Sequence, residues 1–203
     1  MMKTVSFTRM EDGTVEDYAL LAELEEQYVR KLPDRLMDSL SRLQATLPGY
    51  PITRLEHSLQ SATRAYDACE PEEMVVAALL HDIGDELAPA AHSEMAAAIL
   101  RPYVSERVYW IIKHHGLFQT YYYHHHMGRD RNAREVLKDH AWYQDCVDFC
   151  HNYDQNCFDP AFKSRDLEFF RPMVERVFSN PKPEFAQSGA AIHPDWIQKT
   201  HFG

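Results

Sequence analysis

The residues best suited to chemistry are histidines and aspartates that stand at the ends of predicted helices. The chain has 12 histidines among 203 residues, and imidazole is both the commonest side-chain metal ligand and the usual base near neutral pH. His81 and Asp82 directly follow the most apolar segment, 74–80. An imidazole and a carboxylate leaving a buried helix are costly to bury without a cationic partner, which a metal ion supplies. For an isolated pair, a capping aspartate beside a hydrogen-bonded histidine is the ordinary alternative.

The His81-Asp82 pair is not isolated, because further candidate ligands occur on separate predicted helices. They are His57, His92, His115 and Asp154. These six imidazole and carboxylate groups can hold two metal ions with Asp82 bridging them. Such ligands suit non-haem iron acting on oxygen, and they suit Mn or Mg supporting hydrolysis almost as well. Ligand type alone therefore predicts a dinuclear centre but not its reaction.

Helices must position these ligands, because apolar residues recur three and four apart through nearly every long segment. We predict an all-α single domain. Its helices run from about Thr14 to Pro33, Pro33 to Leu43, Ile52 to Cys69, Pro71 to Leu80, His92 to Leu100, Glu106 to His115, Asn132 to Lys138, Ala141 to Gln155 and Glu168 to Phe178. The aromatic segment Phe118–Arg131 is predicted to be a loop or short turn near the site. The predicted organisation is N-terminal helices over 1–48, a metal core over 49–178 and an extended tail over 179–203.

Composition narrows the classes of partner and compartment. The formal net charge of −10 disfavours nucleic acid or an anionic membrane surface as the main partner. No run of apolar residues is long enough for a membrane span, and the polar segment 1–9 does not resemble a signal peptide, so we expect a cytoplasmic protein. The four cysteines form no CxxC pair, which favours a reduced compartment and a structural role.

Two short segments carry a resemblance to a known family. They are Arg54–Gln60, with the sequence RLEHSLQ, and Ala77–Gly84, with the sequence AALLHDIG. Together with the spacing of the six candidate ligands, they resemble the metal motif of the HD-domain superfamily across residues 50–154. Within that superfamily they are most similar to the mixed-valent diiron oxygenases that cleave organophosphonates, with myo-inositol oxygenase a more distant relative. The resemblance implies an HD-domain helical bundle with a buried dinuclear metal site.

The resemblance also implies a ligand assignment and a reaction. His57, His81, Asp82 and Asp154 would bind one iron, and Asp82, His92 and His115 would bind the other. His114 is the adjacent alternative to His115. The spacing from Ile111 and Ile112 favours His115. The family's Fe(II)/Fe(III) pair uses dioxygen as co-substrate to oxidise the carbon that bears the phosphonate, after which the C–P bond breaks and phosphate is released.

Substrate recognition departs from the family pattern at three positions. Asp85 stands three residues after Asp82, where the related oxygenases carry Lys or His. Gln119 and His151 occupy positions that resemble those of a Lys and an Arg in the relatives. The basic residues that bind the anionic group of the substrate are therefore fewer here or lie at other positions. The candidate phosphonate-binding residues are Gln119 and His151, with Lys113, Arg129 or Lys163 nearby. The acidic side chain of Asp85 is itself a candidate contact for a cationic end of the substrate, and a solvated loop is the alternative explanation for it.

Aromatic residues near the predicted ligands are candidates for binding the part of the substrate that does not carry the phosphonate. Tyr50 stands shortly before the first ligand and Tyr121–Tyr123 follows His115, so Tyr50 and Tyr122 are candidate substrate-binding residues. Aromatic rings can enclose a quaternary ammonium group through cation–π attraction, and packing is the alternative role for these tyrosines. We assign His124–His126 to the surface or to positions behind the ligands, because three consecutive helical residues cannot point one way.

We therefore expect a diiron oxygenase whose partner is a small-molecule phosphonate. An example is (R)-1-hydroxy-2-(trimethylammonio)ethylphosphonate, which would yield glycine betaine and phosphate. The alternative is a metal-dependent HD phosphohydrolase acting on a nucleotide or a small phosphoester. A non-catalytic, ligand-sensing HD domain is disfavoured because the ligand set is complete. The sequence leaves the oligomeric state open.

Overall fold

Helices build the fold, as the spacing of apolar residues predicts. The computed structural model describes residues 3–45, 47–179 and 181–186. The helices are α1 (Val15–Arg30), α2 (Leu32–Arg42), α3 (Arg54–Asp67), α4 (Glu72–Leu80), α5 (His92–Leu100), α6 (Glu106–Tyr123), α7 (Tyr143–Tyr153), α8 (Leu167–Phe178) and α9 (Pro183–Ala186). Short 3-10 helices lie at Met10–Asp12, Leu43–Ala45, Ile83–Asp85, His124–Met127 and Ala133–Leu137. The described ranges contain no strand, which confirms the predicted all-α class.

Helix α4 lies in the middle of the core. All residues of its apolar segment, 74–80, are buried, as expected for a helix that is hydrophobic all round. Helices α3, α6 and α8 pack against it, α5 packs on α6, and α7 packs on both α3 and α6. The end of α4 therefore emerges among four other helices, so the polar residues that follow it are buried too.

Capping boxes fix where two of the helices begin. Thr14 and Asp17 exchange side-chain and backbone hydrogen bonds at the start of α1. Thr53 and Glu56 do the same at the start of α3, one turn before His57. Because a capping box satisfies two otherwise unpaired backbone N–H groups, it defines the first turn of the helix. The capping box of Thr53 and Glu56 therefore fixes the position of His57 along α3.

The predicted end of the sixth helix at His115 is wrong. Helix α6 continues to Tyr123 and passes into the 3-10 helix His124–Met127, so the first half of the predicted loop Phe118–Arg131 is helical. Phe118 is fully buried and extends the apolar face of α6 by another turn. Gly116 lies inside this helix and allows α5 to approach closely. A Cβ at position 116 would lie 2.6 Å from the Ser93 hydroxyl oxygen.

Segments near both ends of the chain contact the central helices or the loops between them. Helix α2 buries Leu36, Met37 and Leu40 and packs on α3 and α8. In the predicted tail, the backbone N–H of Lys182 donates to the carbonyl of Pro102, and α9 follows. The rest of the tail, 187–203, lies outside the described residues. Among the described helices, none combines the length and the apolar character that crossing a bilayer requires.

Candidate metal centre

Six side chains from five elements meet beside the end of α4. His57 lies on the first turns of α3, and His81 and Asp82 directly follow α4. His92 is the first residue of α5, His115 lies within α6, and Asp154 directly follows α7. All except His92 are buried. The structure therefore brings together the six ligands predicted from the sequence.

Three of the four imidazoles are held in the same orientation. In each, Nδ1 lies within hydrogen-bond distance of a backbone carbonyl, and Nε2 faces the shared centre. The bonds join His57 to Cys157 (3.0 Å), His81 to Ala78 (2.7 Å) and His115 to Ile112 (2.7 Å). Because a carbonyl only accepts, Nδ1 carries the proton and Nε2 of the neutral ring presents a lone pair. This arrangement is typical of metal-binding histidines, whose second nitrogen donates to a carbonyl or a carboxylate.

The Nε2 atoms of His57 and His81 lie only 3.0 Å apart. Two lone pairs at this distance repel each other, so a cation must lie between them, either a proton or a metal ion. Burial lowers the pKa of His57, but the Asp154 and Asp82 carboxylates outweigh burial and raise its pKa. Burial lowers the pKa of His81 to about 4. The pair thus combines an imidazole that stays neutral with one whose surroundings attract positive charge.

The two oxygens of Asp82 face different pairs of histidines. Oδ2 lies 3.4 Å from Nε2 of both His57 and His81. Oδ1 lies 3.4 Å from Nε2 of His115 and 3.5 Å from Nε2 of His92. Burial raises the pKa of Asp82, but the surrounding imidazoles outweigh it and hold the pKa well below its usual range. An ionised carboxylate shared in this way has the geometry of a bridge between two metal ions.

Asp154 completes the half of the site that contains His57 and His81. Its Oδ1 lies 3.4 Å from Nε2 of His57 and accepts a hydrogen bond of 2.8 Å from the Gln119 amide. Its Oδ2 is buried and has no hydrogen-bond partner. Buried carboxylate oxygens are rarely left unpaired, and an ion is one of the ordinary explanations. The free oxygen and the facing lone pairs fit a metal ion, and the nitrogen and oxygen donors suit iron, manganese or zinc.

His92 differs from the other three candidate histidine ligands, because it is more exposed than they are and faces a side chain instead of a backbone carbonyl. Its side chain is 28% exposed, and its Nδ1 faces the carboxylate of Asp85 at 3.7 Å. Asp85 in turn lies 2.8 Å from Nε of Arg54, and its side chain is only 8% exposed. Burial and the nearby Asp82 raise the pKa of Asp85, against the opposing effect of Arg54. Asp85 is therefore a largely buried residue paired with Arg54 and not part of a solvated loop.

A cavity of about 530 Å³ opens onto the cluster. Its walls include four of the predicted ligands together with aromatic, amide and basic side chains. The lining residues are Tyr50, Arg54, Asp82, His92, His115, Gly116, Gln119, Tyr122, Tyr123, Met127, Asp154, Gln155 and Phe158. Three residues predicted to bind substrate, Tyr50, Gln119 and Tyr122, thus lie on the cavity wall, in a space large enough for a small organic ligand.

The other residues considered from the sequence lie elsewhere. Asp85 stands behind Arg54, and His151 lies outside the lining with its Nδ1 3.4 Å from the Tyr122 hydroxyl. Lys113, Arg129 and Lys163 are exposed, and none of them lines the cavity. The ring of Tyr121 is covered by guanidinium groups of Arg131 and Arg134. The His114 ring packs at a tilt against Trp110, whereas His115 faces Asp82.

Two residues of the site were not predicted to bind substrate. Arg54 lies on the cavity wall, with Nη1 3.4 Å from Oδ2 of Asp82. It stands three residues before His57, and helical residues at this spacing share a face, so the sequence held a signal for it. Phe158 stacks on the rings of His57 and Tyr50, at 4.5 and 5.0 Å between ring centroids. It lies in an irregular segment after α7, where no periodic pattern indicates its direction.

The comparison with known proteins agrees with this geometry. Residues 54–145 match the family model described as HD domain. Over 84 residues the chain is 33% identical to the [1-hydroxy-2-(trimethylamino)ethyl]phosphonate dioxygenase (glycine-betaine-forming) of Leisingera caerulea. That alignment covers 36% of this chain and 43% of the relative, so the chain spans less than half the relative's length. The predicted resemblance is therefore confirmed: residues 54–145 resemble an HD domain, and over part of its length the chain is similar to a phosphonate dioxygenase.

Proposed function

We propose that this protein is an oxygenase that cleaves the C–P bond of a small 1-hydroxyalkylphosphonate, with two iron ions in the Fe(II)/Fe(III) state and dioxygen as co-substrate. The observation that carries this proposal is the division of the Asp82 carboxylate between two groups of histidines beside a cavity. The named relative supports the choice of an oxygenase acting on a phosphonate. The HD domain supports metal-dependent chemistry.

The proposed ligand sets follow the two faces of Asp82. His57, His81, Asp82 and Asp154 would hold one ion, and Asp82, His92 and His115 the other. An iron pair bound there supplies activation of dioxygen and oxidation of the carbon that bears the hydroxyl and phosphonate groups. In the overall reaction that carbon becomes a carboxylate, the C–P bond breaks, and the two atoms of dioxygen are divided between the carboxylate and phosphate products.

Arg54 and Gln119 are suited to orient the substrate. Arg54 is the only Lys or Arg among the described residues that line the cavity, and a guanidinium binds a phosphonate through charge-assisted hydrogen bonds. The amide nitrogen of Gln119 donates to Asp154, and its Oε1 is buried without a partner. That oxygen can accept a hydrogen bond from the substrate's hydroxyl group. These contacts would set the hydroxyl-bearing carbon beside the metal ligands and the phosphonate toward α3.

The rest of the cavity wall suits a cationic, methylated group. Tyr50, Tyr122, Tyr123 and Phe158 supply aromatic rings, and a cation over such a ring gains about 0.5–2 kcal/mol, depending on desolvation. The relative's name includes a trimethylamino group. A trimethylammonium-bearing hydroxyphosphonate, converted to glycine betaine and phosphate, is therefore the substrate we propose to test first.

Oxygen dependence tests the reaction class. Protein loaded anaerobically with Fe(II) is mixed with 1-hydroxy-2-(trimethylammonio)ethylphosphonate, and dioxygen consumption and phosphate release are measured together. We expect one dioxygen consumed per phosphate released and no phosphate in the absence of oxygen. Protein in which Asp82 is replaced by Asn provides the control for adventitious iron. Equal phosphate release with and without oxygen would contradict the proposal and assign the protein to the metal-dependent phosphohydrolases.

A further inference from the structure

His92 is the ligand whose orientation the backbone does not fix. The Nδ1 atoms of His57, His81 and His115 bond to backbone carbonyls, those of Cys157, Ala78 and Ile112. No carbonyl of the described residues bonds the ring of His92. Its Nδ1 faces Oδ1 of Asp85 at 3.7 Å instead, which is within ion-pair range and longer than a hydrogen bond. The carboxylate therefore stands where the carbonyl stands for the other three rings.

Asp85 is itself held in place, as an orienting group must be. It ends the 3-10 helix Ile83–Asp85, directly after the bridging Asp82. Its two oxygens point to different partners: Oδ1 faces His92, and Oδ2 lies 2.8 Å from Nε of Arg54. Arg54 also approaches Asp82, so one guanidinium ties both carboxylates to the start of α3. The carboxylate cannot turn away from His92 without breaking a buried ion pair.

A competing contact gives this arrangement a consequence for metal binding. The Ser93 hydroxyl lies 3.1 Å from Nε2 of His92, the nitrogen that would bind metal. His92 therefore has two alternatives for its Nε2, the shared centre and a neighbouring hydroxyl group. A carboxylate on Nδ1 fixes the tautomer with a free Nε2 and increases its basicity, which favours the metal-bound alternative.

We propose that Asp85 is the positioning residue that fixes His92 as a ligand and thereby sets the affinity of the metal ion on the His92 side of Asp82. This inference rests on the dinuclear centre of the proposed function but not on its oxygen chemistry. It assigns to position 85 a role in metal loading in place of the substrate contact expected from the sequence.

Metal titration without turnover tests the proposal. Mn²⁺ is titrated into the metal-free protein, the number and affinity of bound ions are measured by calorimetry, and electron paramagnetic resonance distinguishes coupled pairs from isolated ions. In Asp85→Asn, we expect the first ion to bind as in the unaltered protein and the second to bind about 10–100-fold more weakly, with the coupled-pair signal replaced by that of isolated Mn²⁺. In Ser93→Ala, the second ion should bind at least as tightly as in the unaltered protein.

Glu86→Gln is the matched control, because it removes the same charge from the neighbouring position. Glu86 pairs with Arg42 and does not line the cavity, so its replacement should leave both affinities unchanged. Asp85→Glu keeps the buried ion pair with Arg54 and remains testable if the Asn variant does not fold; its second ion should bind with intermediate affinity. Equal weakening of both ions, or an equal effect of Glu86→Gln, would overturn the positioning role. Binding of only one ion by the unaltered protein would overturn the dinuclear centre, whereas two ions without turnover would overturn only the proposed reaction.

Discussion

Replacing Gly84 by alanine should displace His92 from the centre. A Cβ at position 84 would lie 2.7 Å from both Cα and the carbonyl oxygen of His92. Ordinary contact begins at 3.4 Å, so the start of α5 must move by about 0.7 Å, the difference between these distances. Metal–ligand distances tolerate only about 0.2 Å. We therefore expect the ion on the His92 side to bind at least about tenfold more weakly in Gly84→Ala.

The same substitution should also lower stability by a moderate amount. Overpacking of this kind typically costs about 1–3 kcal/mol, and the lower backbone freedom of alanine in the unfolded chain offsets about 0.4–1 kcal/mol of that. Thermal unfolding of the metal-free protein measures the net loss, and Mn²⁺ titration measures the second affinity. Glu86→Gln is the control, because Glu86 stands two residues away and pairs with Arg42, so its replacement should leave both affinities unchanged. If Gly84→Ala bound both ions as tightly as the unaltered protein, the packing argument would be refuted.

Three further predictions concern the ligands and the cavity wall. Asp82→Asn should abolish binding of both Mn²⁺ ions because the carboxylate serves both groups of histidines, whereas Asp154→Asn should weaken one; the stoichiometry in calorimetry distinguishes them. The pKa values of His57 and His115 are raised in the fold. Protonation of these imidazoles therefore stabilises the metal-free fold fully below about pH 6.5, and this stabilisation is lost as the pH rises through their pKa values in the fold. Because metal must displace those protons, the rise in Tm caused by Mn²⁺ should increase between about pH 6 and pH 8, and a fall would contradict this assignment. Tyr50→Leu should reduce the preference in kcat/KM for a trimethylammonium over a neutral tert-butyl analogue, a preference of about several-fold to thirtyfold in the unaltered protein; equal rates for both analogues in that protein would exclude a cationic substrate.

The helices and the convergence of the six ligand side chains were predictable because both depend on local signals. A buried apolar helix followed by His81 and Asp82 requires compensation of charge where it ends. Each other ligand stands on a segment with clear helical periodicity, so its element was identifiable from the sequence. The error in α6 arose where the sequence gives conflicting signals, since Gly116 lowers helix propensity while Phe118 continues the buried face.

The neighbours of the ligands could not be predicted in the same way, because they depend on contacts between distant segments. Asp85 lies behind Arg54 only because the turn after α4 packs beside the start of α3. Phe158 reaches His57 from an irregular segment about a hundred residues away in sequence. Neither spacing nor composition encodes such a pairing, since tertiary packing decides which of several surfaces an irregular segment covers.

Helix α6 carries both a predicted ligand and much of the cavity wall. Gln119 stands four residues after His115, and Tyr122 and Tyr123 stand three and four residues after Gln119, so these side chains lie along one side of a rigid element. Substitutions in the last two turns can reshape the cavity while His115 stays anchored to Ile112 one turn earlier. The residues that would bind metal and the residues that shape the cavity can therefore change separately, and these two turns are where directed evolution toward other substrates should begin.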